Sequence, residues 1–159
     1  MATAATAPIG SYVFDDRNIR WERLGGLEHF VFAVLDIDTP RRVVDFVIKF
    51  DPNQGIILHR HLALTNTLVI QGEHRLYEPN GALKEVRPVG SYTSSEPGDP
   101  HREGAGDQPA VVLYSVRGKD GVLFELLDDN LNVIGTLSVE DFVQALEAQK
   151  KARVDPGTL

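Results

Sequence analysis

The 159-residue sequence predicts a mainly β protein, an antiparallel sandwich or barrel that ends in one α-helix. In segment 42–50, apolar and polar residues alternate, as they do in a strand with one buried face. Val44, Phe46, Ile48 and Phe50 are predicted to lie on one face of that strand, with Asp45 and Lys49 on the other. Turn sequences recur about every ten residues, a spacing typical of antiparallel sandwiches and barrels. Ser138, followed three residues later by Asp141, forms a helix-capping pattern.

Each element can be placed in order from these signals. After the strand at 42–50, a turn at 51–55 leads into a strand that begins at 56–59. The stretches 67–70 and 75–77 flank a turn and are predicted to form a hairpin. Further strands are predicted at 83–87, 91–95, 110–117, 122–127 and 133–136. The helix should run from Ser138 to about Lys151, because apolar residues recur there at helical spacing.

The chain length and composition fit a single domain with a substantial core. We divide it into an N-terminal arm (1–20), a barrel (21–137) and a C-terminal helix with its tail (138–159). The net charge of -7 argues against nucleic acid and anionic membrane as partners, since both attract clustered lysine and arginine. No segment resembles a secretion signal or a membrane helix, so a cytoplasmic location is expected.

The most informative motif is a pair of histidines, His59 and His61, at the end of an apolar run. Residues two apart on a strand point to the same face, so the two imidazoles should lie side by side. A third histidine, His101, follows a turn rich in glycine and proline. The chain has no cysteine, so a metal must be held by nitrogen and oxygen. The three histidines are therefore predicted to bind a divalent metal ion.

These residues resemble the two motifs of the cupin superfamily. The first motif, glycine, His-x-His, usually glutamate and then glycine, falls on Gly55, His59, His61, Thr65 and Gly72. The second motif falls on Gly90, Pro97, Gly98 and His101, with the proline shifted by one position and Ala105 where asparagine is common. The resemblance covers about residues 40–120. It implies an antiparallel cupin (jelly-roll) barrel with a short C-terminal helix.

Thr65 is the main departure from the family pattern, because a threonine hydroxyl is a poor metal ligand. The metal is therefore expected to have three neutral imidazoles and no anionic ligand from the protein. Such a centre resembles the three-histidine branch of the cupins, which includes acetylacetone-cleaving dioxygenase and the 2,4'-dihydroxyacetophenone dioxygenase-like (ChrR-type) cupins. The resemblance implies that Fe(II) is held by His59, His61 and His101. A β-diketone or hydroxyketone would then bind as an enolate, and O2 would cleave a carbon–carbon bond.

Several alternatives stay open at this point. Zn(II), Ni(II) or Cu(II) also suit imidazole ligands, and zinc would support hydrolysis of the same substrate class rather than oxidation. A non-catalytic cupin that senses metal or a small ligand is the alternative outside enzymes. It would be favoured if His74 closed the centre as a fourth nitrogen ligand, although a hairpin tip is usually exposed. A homo-oligomer is expected.

Two carboxylates on either side of His101 are candidate catalytic residues. Glu96 and Glu103 could each orient an imidazole N–H or accept a proton from the substrate. The competing interpretation is that both are solvated loop residues. Arg60 lies between the paired histidines and should therefore point away from the metal.

Overall fold

The computed structural model describes residues 13–154, so residues 1–12 of the predicted arm and residues 155–159 of the tail lie outside it. The described part contains eleven strands and one helix. The strands are β1 (Phe30–Asp38), β2 (Val43–Phe50), β3 (His59–His61), β4 (Leu64–Gln71), β5 (His74–Tyr77), β6 (Leu83–Arg87), β7 (Tyr92–Ser95), β8 (Arg102–Ala105), β9 (Ala110–Arg117), β10 (Val122–Leu127) and β11 (Val133–Ser138). The helix α1 spans Val139–Val154.

The strands form one large sheet and two small ones, and all of the pairings are antiparallel. The large sheet has the order β1-β2-β9-β4-β7, and the small sheets have the orders β11-β10-β3 and β6-β5-β8. Isolated bridges between His59 and His101 and between Gly55 and Gly104 connect the two small sheets. The predicted fold class, a mainly β antiparallel barrel with a C-terminal helix, is confirmed.

The alternation predicted for segment 42–50 is confirmed in β2. Val44, Phe46, Ile48 and Phe50 are buried on one face, whereas Asp45 and Lys49 lie on the opposite face and are half-buried. These side chains pack against Leu123 and Phe124 of β10 and against Ile56, in the segment before β3. The main core therefore lies between the large sheet and the small sheets, which is the space into which β3 directs its histidines.

The hairpin predicted at 67–77 is wrong, because its two strands belong to different sheets. β4 pairs with β7 and β9, whereas β5 pairs with β6 and β8. Gly72 lies between them with a φ of 70°, in the left-handed region that favours glycine. A Cβ at this position would lie 2.5 Å from the carbonyl oxygen of Pro109. Gly72 therefore lets the chain cross from one sheet to the next rather than fold back on itself.

The helix begins as predicted and extends three residues beyond the predicted end. The Ser138 backbone N–H donates to Asp141 Oδ2 at 2.7 Å, and the Asp141 N–H donates to Ser138 Oγ at 3.2 Å. The helix packs against β1, where the side-chain amide of Gln149 bonds both the N–H and the C=O of Val34. Within residues 13–154, no helix is long and apolar enough to cross a bilayer.

The segment before β1 covers part of the outer face of the large sheet. Trp21, the single tryptophan of the chain, packs there against a second, smaller apolar cluster. The buried members of that cluster are Ala33, Val47 and Val111. The indole N–H of Trp21 donates to Asp16 Oδ2 at 2.8 Å, and Lys49 Nζ lies 2.9 Å from the same oxygen. This segment thus buries the apolar side chains that would otherwise face solvent on the outer face.

Candidate metal centre

The three predicted histidines lie together on the inner side of the small sheets. His59 and His61 are the first and last residues of β3, and the residue between them points to the other face. The bridge between His59 and His101 brings the third imidazole opposite the pair. The ring centroids are 4.8–5.1 Å apart, and His59 and His61 are buried. The structure therefore brings together the residues that the sequence motif predicted.

Backbone carbonyls fix the tautomers of two of these imidazoles. The Nδ1 of His59 lies 2.8 Å from the carbonyl oxygen of Ile57, and the Nδ1 of His101 lies 3.1 Å from that of Asp99. A carbonyl oxygen can only accept, so each Nδ1 carries the proton of a neutral imidazole. The Nε2 atoms are then left with free lone pairs, which is the arrangement that metal-binding histidines use.

Thr65 fixes the third imidazole in the same way. Its hydroxyl donates to the carbonyl oxygen of Ala63 at 3.1 Å. The Thr65 Oγ1 therefore has a lone pair to accept from His61 Nδ1, which lies 3.1 Å away. Thr65 takes the position of the usual glutamate in the family motif, but it contacts the far nitrogen of a candidate ligand. Its role is to orient His61.

Glu103 lies among the three Nε2 atoms, in contrast to the expectation of a centre with no protein anion. Its Oε2 is 2.7 Å from Nε2 of His59, 3.4 Å from that of His61 and 3.5 Å from that of His101. The one donor atom that each of these four residues offers lies within 4.8 Å of all the others. The sequence held the signal: Glu103 follows His101 at the same two-residue spacing that His61 follows His59.

This donor set fits a divalent cation. When the three imidazoles are neutral and carry their protons on Nδ1, their Nε2 lone pairs and a carboxylate oxygen point at one another. The buried Nε2 of His101 has no hydrogen-bond partner in the described structure. Converging acceptors of this kind repel one another unless a positive charge lies between them. Nitrogen and carboxylate donors suit zinc as well as the redox-active iron.

Two opposing effects set the pKa values in the cluster. Burial favours the neutral form of each group, whereas the interaction between Glu103 and the histidines favours the charged forms. Burial dominates at His61 and lowers its pKa to about 4, although Glu103 acts in the opposite direction. At His101, which is less deeply buried, burial also favours the neutral ring, but Glu103 outweighs it and raises the pKa. For Glu103, burial is outweighed by the surrounding histidines, which hold its pKa well below the usual range. The cluster thus keeps an ionised carboxylate in a buried site.

His74 is buried rather than exposed at a hairpin tip, and it is not one of the converging donors. Its side chain is fully buried, and Nε2 lies 2.7 Å from Oε1 of Glu103. The hydroxyl of Tyr114, on β9, donates to the same oxygen at 2.7 Å. Burial, reinforced by Glu103, raises the pKa of Tyr114 well above 10, so the phenol retains its proton. Sequence reasoning missed this arrangement because it depends on the pairing of β5 with β8.

The remaining predicted residues lie farther from the donors. Glu96 is exposed, in the loop after β7, and lines a pocket that also contacts His101 and Glu103. Arg60 points away from the centre, as predicted, and pairs with Glu125 at 2.9 Å.

The donor cluster lies between two cavities of opposite character. One is an apolar cavity of about 60 Å³ between the sheets, which contacts His59, His61 and Glu103. Its aromatic wall consists of Phe30, Phe32, Phe46, Tyr114, Phe124 and Phe142. The other is a polar cavity of about 160 Å³ that contacts His61, His101 and Glu103. A small molecule with an apolar body and polar oxygens could therefore reach the donors from both sides.

Comparison with solved structures identifies the architecture. No protein-family model matches the chain, and no curated protein matches it in sequence. An RmlC-like cupin protein of Ralstonia eutropha gives a TM-score of 0.71 at 18% identity, over 91% of this chain and 89% of that one. An acetylacetone dioxygenase of Acinetobacter johnsonii gives 0.68 at 14% identity, over 93% and 97%. The polyketide cyclase RemF of Streptomyces resistomycificus gives 0.56 at 21% identity, over 87% and 96%. The resemblance to cupins is confirmed at the level of fold.

Proposed function

We propose that the protein is a metal-dependent cupin enzyme, an Fe(II) dioxygenase that cleaves a carbon–carbon bond of a β-diketone or related ketone. The observation that carries this proposal is the set of three oriented imidazoles and one carboxylate at the junction of an apolar and a polar cavity. The likeness to an acetylacetone dioxygenase supports it, because that structure covers nearly the whole chain.

His59, His61, His101 and Glu103 are the residues that would hold the metal. A bound Fe(II) ion would supply the redox chemistry for O2 and a Lewis acid for the ketone oxygens. Because Glu103 already brings one negative charge, the enolate substrate need not supply all of the balancing charge. The backbone bonds to Nδ1 of His59 and His101 keep both rings in one orientation.

The size of the apolar cavity favours a short aliphatic diketone over an aryl ketone. An apolar cavity that accepts benzene has a volume of about 150 Å³. The cavity beside the donors has about 60 Å³, so it accommodates a small alkyl group but no aromatic ring without movement of its wall. Phe142 and Phe46, with ring centroids 5.1 Å apart, are part of that wall.

We assign the acceptance of the substrate proton to Glu96. Glu103 is buried, with one carboxylate oxygen bonded to His74 and Tyr114 and the other facing the candidate ligands, whereas Glu96 lines the polar cavity and is open to solvent. A carboxylate in that position can take the acidic proton of a β-diketone as the enolate forms and release it to water.

The test is oxygen consumption by protein loaded with Fe(II). We expect uptake of O2 with acetylacetone, loss of uptake in His101→Ala, and a lower kcat in Glu96→Gln with metal content unchanged. The same protein loaded with Zn(II) should consume no O2. Hydrolysis of the diketone by the zinc form, with no oxidation by the iron form, would support the hydrolase alternative instead. Binding of diketone without turnover by either form would support a sensor.

A homo-oligomer is also part of the proposal. Apolar side chains are exposed on strands at the edges of the sheets, including Leu83 and Val86 on β6, Tyr92 on β7 and Ile134 on β11. Such side chains are commonly covered by a second subunit. Sedimentation equilibrium would show a single mass of about 17.5 kDa if this part is wrong.

A further inference from the structure

Glu103 presents its two carboxylate oxygens to different surroundings. Oε2 faces the three Nε2 atoms of the metal centre, at distances from 2.7 to 3.5 Å. Oε1 faces the large sheet, where it lies 2.7 Å from the Tyr114 hydroxyl and 2.7 Å from Nε2 of His74. One oxygen therefore belongs to the centre, and the other is occupied by two residues outside it.

The proton on His74 can be assigned from its contacts. Its Nδ1 is buried and has no hydrogen-bond partner in the described structure, whereas its Nε2 contacts a carboxylate. A neutral imidazole places its single proton where an acceptor is available, so Nε2–H donates to Glu103 Oε1. His74 thus has the opposite tautomer to the three candidate ligands, whose protons are on Nδ1. Its role is that of a hydrogen-bond donor to a carboxylate.

These contacts use the full accepting capacity of Oε1. A carboxylate oxygen has two lone-pair sites in the plane, and Oε1 receives one bond from Tyr114 and one from His74. Only Oε2 remains free to bind a cation. We infer that His74 and Tyr114 are positioning residues that hold Glu103 as a one-oxygen donor to the metal. This inference rests on the metal centre in the proposed function.

The core holds both donors in place. His74 is fully buried and stacks on Phe50, with ring centroids 5.5 Å apart and an interplanar angle of 19°. Tyr114 stacks on Phe46 at 5.0 Å with an interplanar angle of 2°. Neither ring can turn without disturbing closely packed neighbours. The carboxylate of Glu103 is therefore oriented before the metal binds, which favours binding because little further ordering is needed.

The experiment measures Co(II) affinity by competition with a chelator, in wild-type and Glu103→Gln backgrounds. Tyr114→Phe removes only the hydroxyl that contacts Oε1, and its ring can keep the stack on Phe46. We expect it to weaken Co(II) binding about tenfold in the wild-type background, as loss of an outer hydrogen bond typically does. In the Glu103→Gln background it should have little further effect. The visible spectrum of bound Co(II) should change in Tyr114→Phe, because a freed Oε1 alters the coordination.

His74→Gln provides a second variant, and Tyr77→Phe is the matched control. Tyr77 and Arg75 lie on the face of β5 opposite His74, so loss of the Tyr77 hydroxyl should leave both affinity and spectrum unchanged. Thermal unfolding of the metal-free variants checks that they are folded. If Tyr114→Phe and His74→Gln weaken Co(II) binding equally in the wild-type and Glu103→Gln backgrounds, or in neither, the positioning role is wrong. If His101→Ala binds Co(II) as tightly as wild type, the metal centre itself, and with it the proposed function, is wrong.

Discussion

Thr65 accepts a hydrogen bond from His61 Nδ1 at 3.1 Å while its own proton goes to a backbone carbonyl. The position that carries a carboxylate ligand in many cupin motifs is thus used here to orient a candidate ligand. The carboxylate of the candidate centre belongs instead to Glu103, in β8. The candidate centre therefore has its carboxylate next to His101 of the second motif rather than at position 65 of the first.

We expect Thr65→Val to weaken metal binding while leaving the fold intact. Valine has nearly the shape of threonine but cannot accept from His61 Nδ1, so the ring can turn or change tautomer. Loss of such a contact typically costs about tenfold in metal affinity. Chelator competition measures the change. Thr65→Ser keeps the oxygen and should bind nearly as wild type does; equal weakening in both variants would contradict the orienting role.

His61→Ala and His101→Ala should each lose most of the bound metal, because each removes one of the few donors of the centre. Elemental analysis after gel filtration gives the stoichiometry, and circular dichroism checks the fold. Arg60→Ala is the matched control, since Arg60 lies on the same strand and points away to Glu125. Unchanged metal content in both histidine variants would exclude the proposed centre.

Phe142→Leu should widen the range of substrates. Phe142 is buried and stacks on Phe46 at the wall of the apolar cavity. A smaller side chain enlarges the cavity, so the ratio of kcat/KM for a phenyl-bearing diketone to that for acetylacetone should rise. Leu127→Ala is the control, because Leu127 is equally buried but does not line the cavity. A similar change of ratio in both variants would show that loss of core packing, rather than cavity size, is responsible.

Gly104→Ala should be strongly destabilising. A Cβ on Gly104 would overlap the backbone oxygen of Gln54, in the segment bridged to β8, and backbone atoms there cannot move aside easily. Overpacking of this kind costs about 1–3 kcal/mol or more. Gly121→Ala, where a Cβ meets no atom within 4 Å, should change the free energy of unfolding little. Chemical denaturation compares the two; equal stability would show that the two segments separate readily.

Acid should remove the contribution of Asp16 to stability. Hydrogen bonds from Lys49 and Trp21 lower its pKa below the ordinary 3.8 in the folded state. The contribution of Asp16 to the free energy of unfolding is therefore complete at pH values above its pKa in the unfolded chain. It is lost as the pH falls through its lower pKa in the folded protein. Both charged side chains are about one-third exposed, so the ion pair contributes less than about 1 kcal/mol. Unfolding followed by Trp21 fluorescence should show Asp16→Asn less stable than wild type at neutral pH, with the difference vanishing in acid.

The elements of this fold were predictable because their signals are local. The strands at 83–87, 110–117 and 122–127 have the predicted bounds, and the Ser138 cap forms as expected. Partner strands were not predictable in the same way. The turn at Gly72 has a hairpin's composition, but the chain crosses there to another sheet, because both edges of β4 are paired with strands distant in sequence, β7 and β9.

In the candidate site, too, the residues with local sequence signals were predictable and those that depend on strand pairing were not. The histidine triad was predicted from motif spacing, since strand alternation alone places His59 and His61 on one face. The position of Glu103 follows from the same alternation once its segment is known to be a strand. The burial of His74 depends on the pairing of β5 with β8 and has no local signal.

Gln149 blocks strand pairing at one edge of the large sheet. An edge strand with free N–H and C=O groups can pair with a strand from another molecule, which leads to aggregation. By bonding both backbone groups of Val34, the side chain of Gln149 occupies a pairing position on the outer edge of β1. The C-terminal helix therefore prevents another chain from adding a strand to the large sheet at this point of the β1 edge.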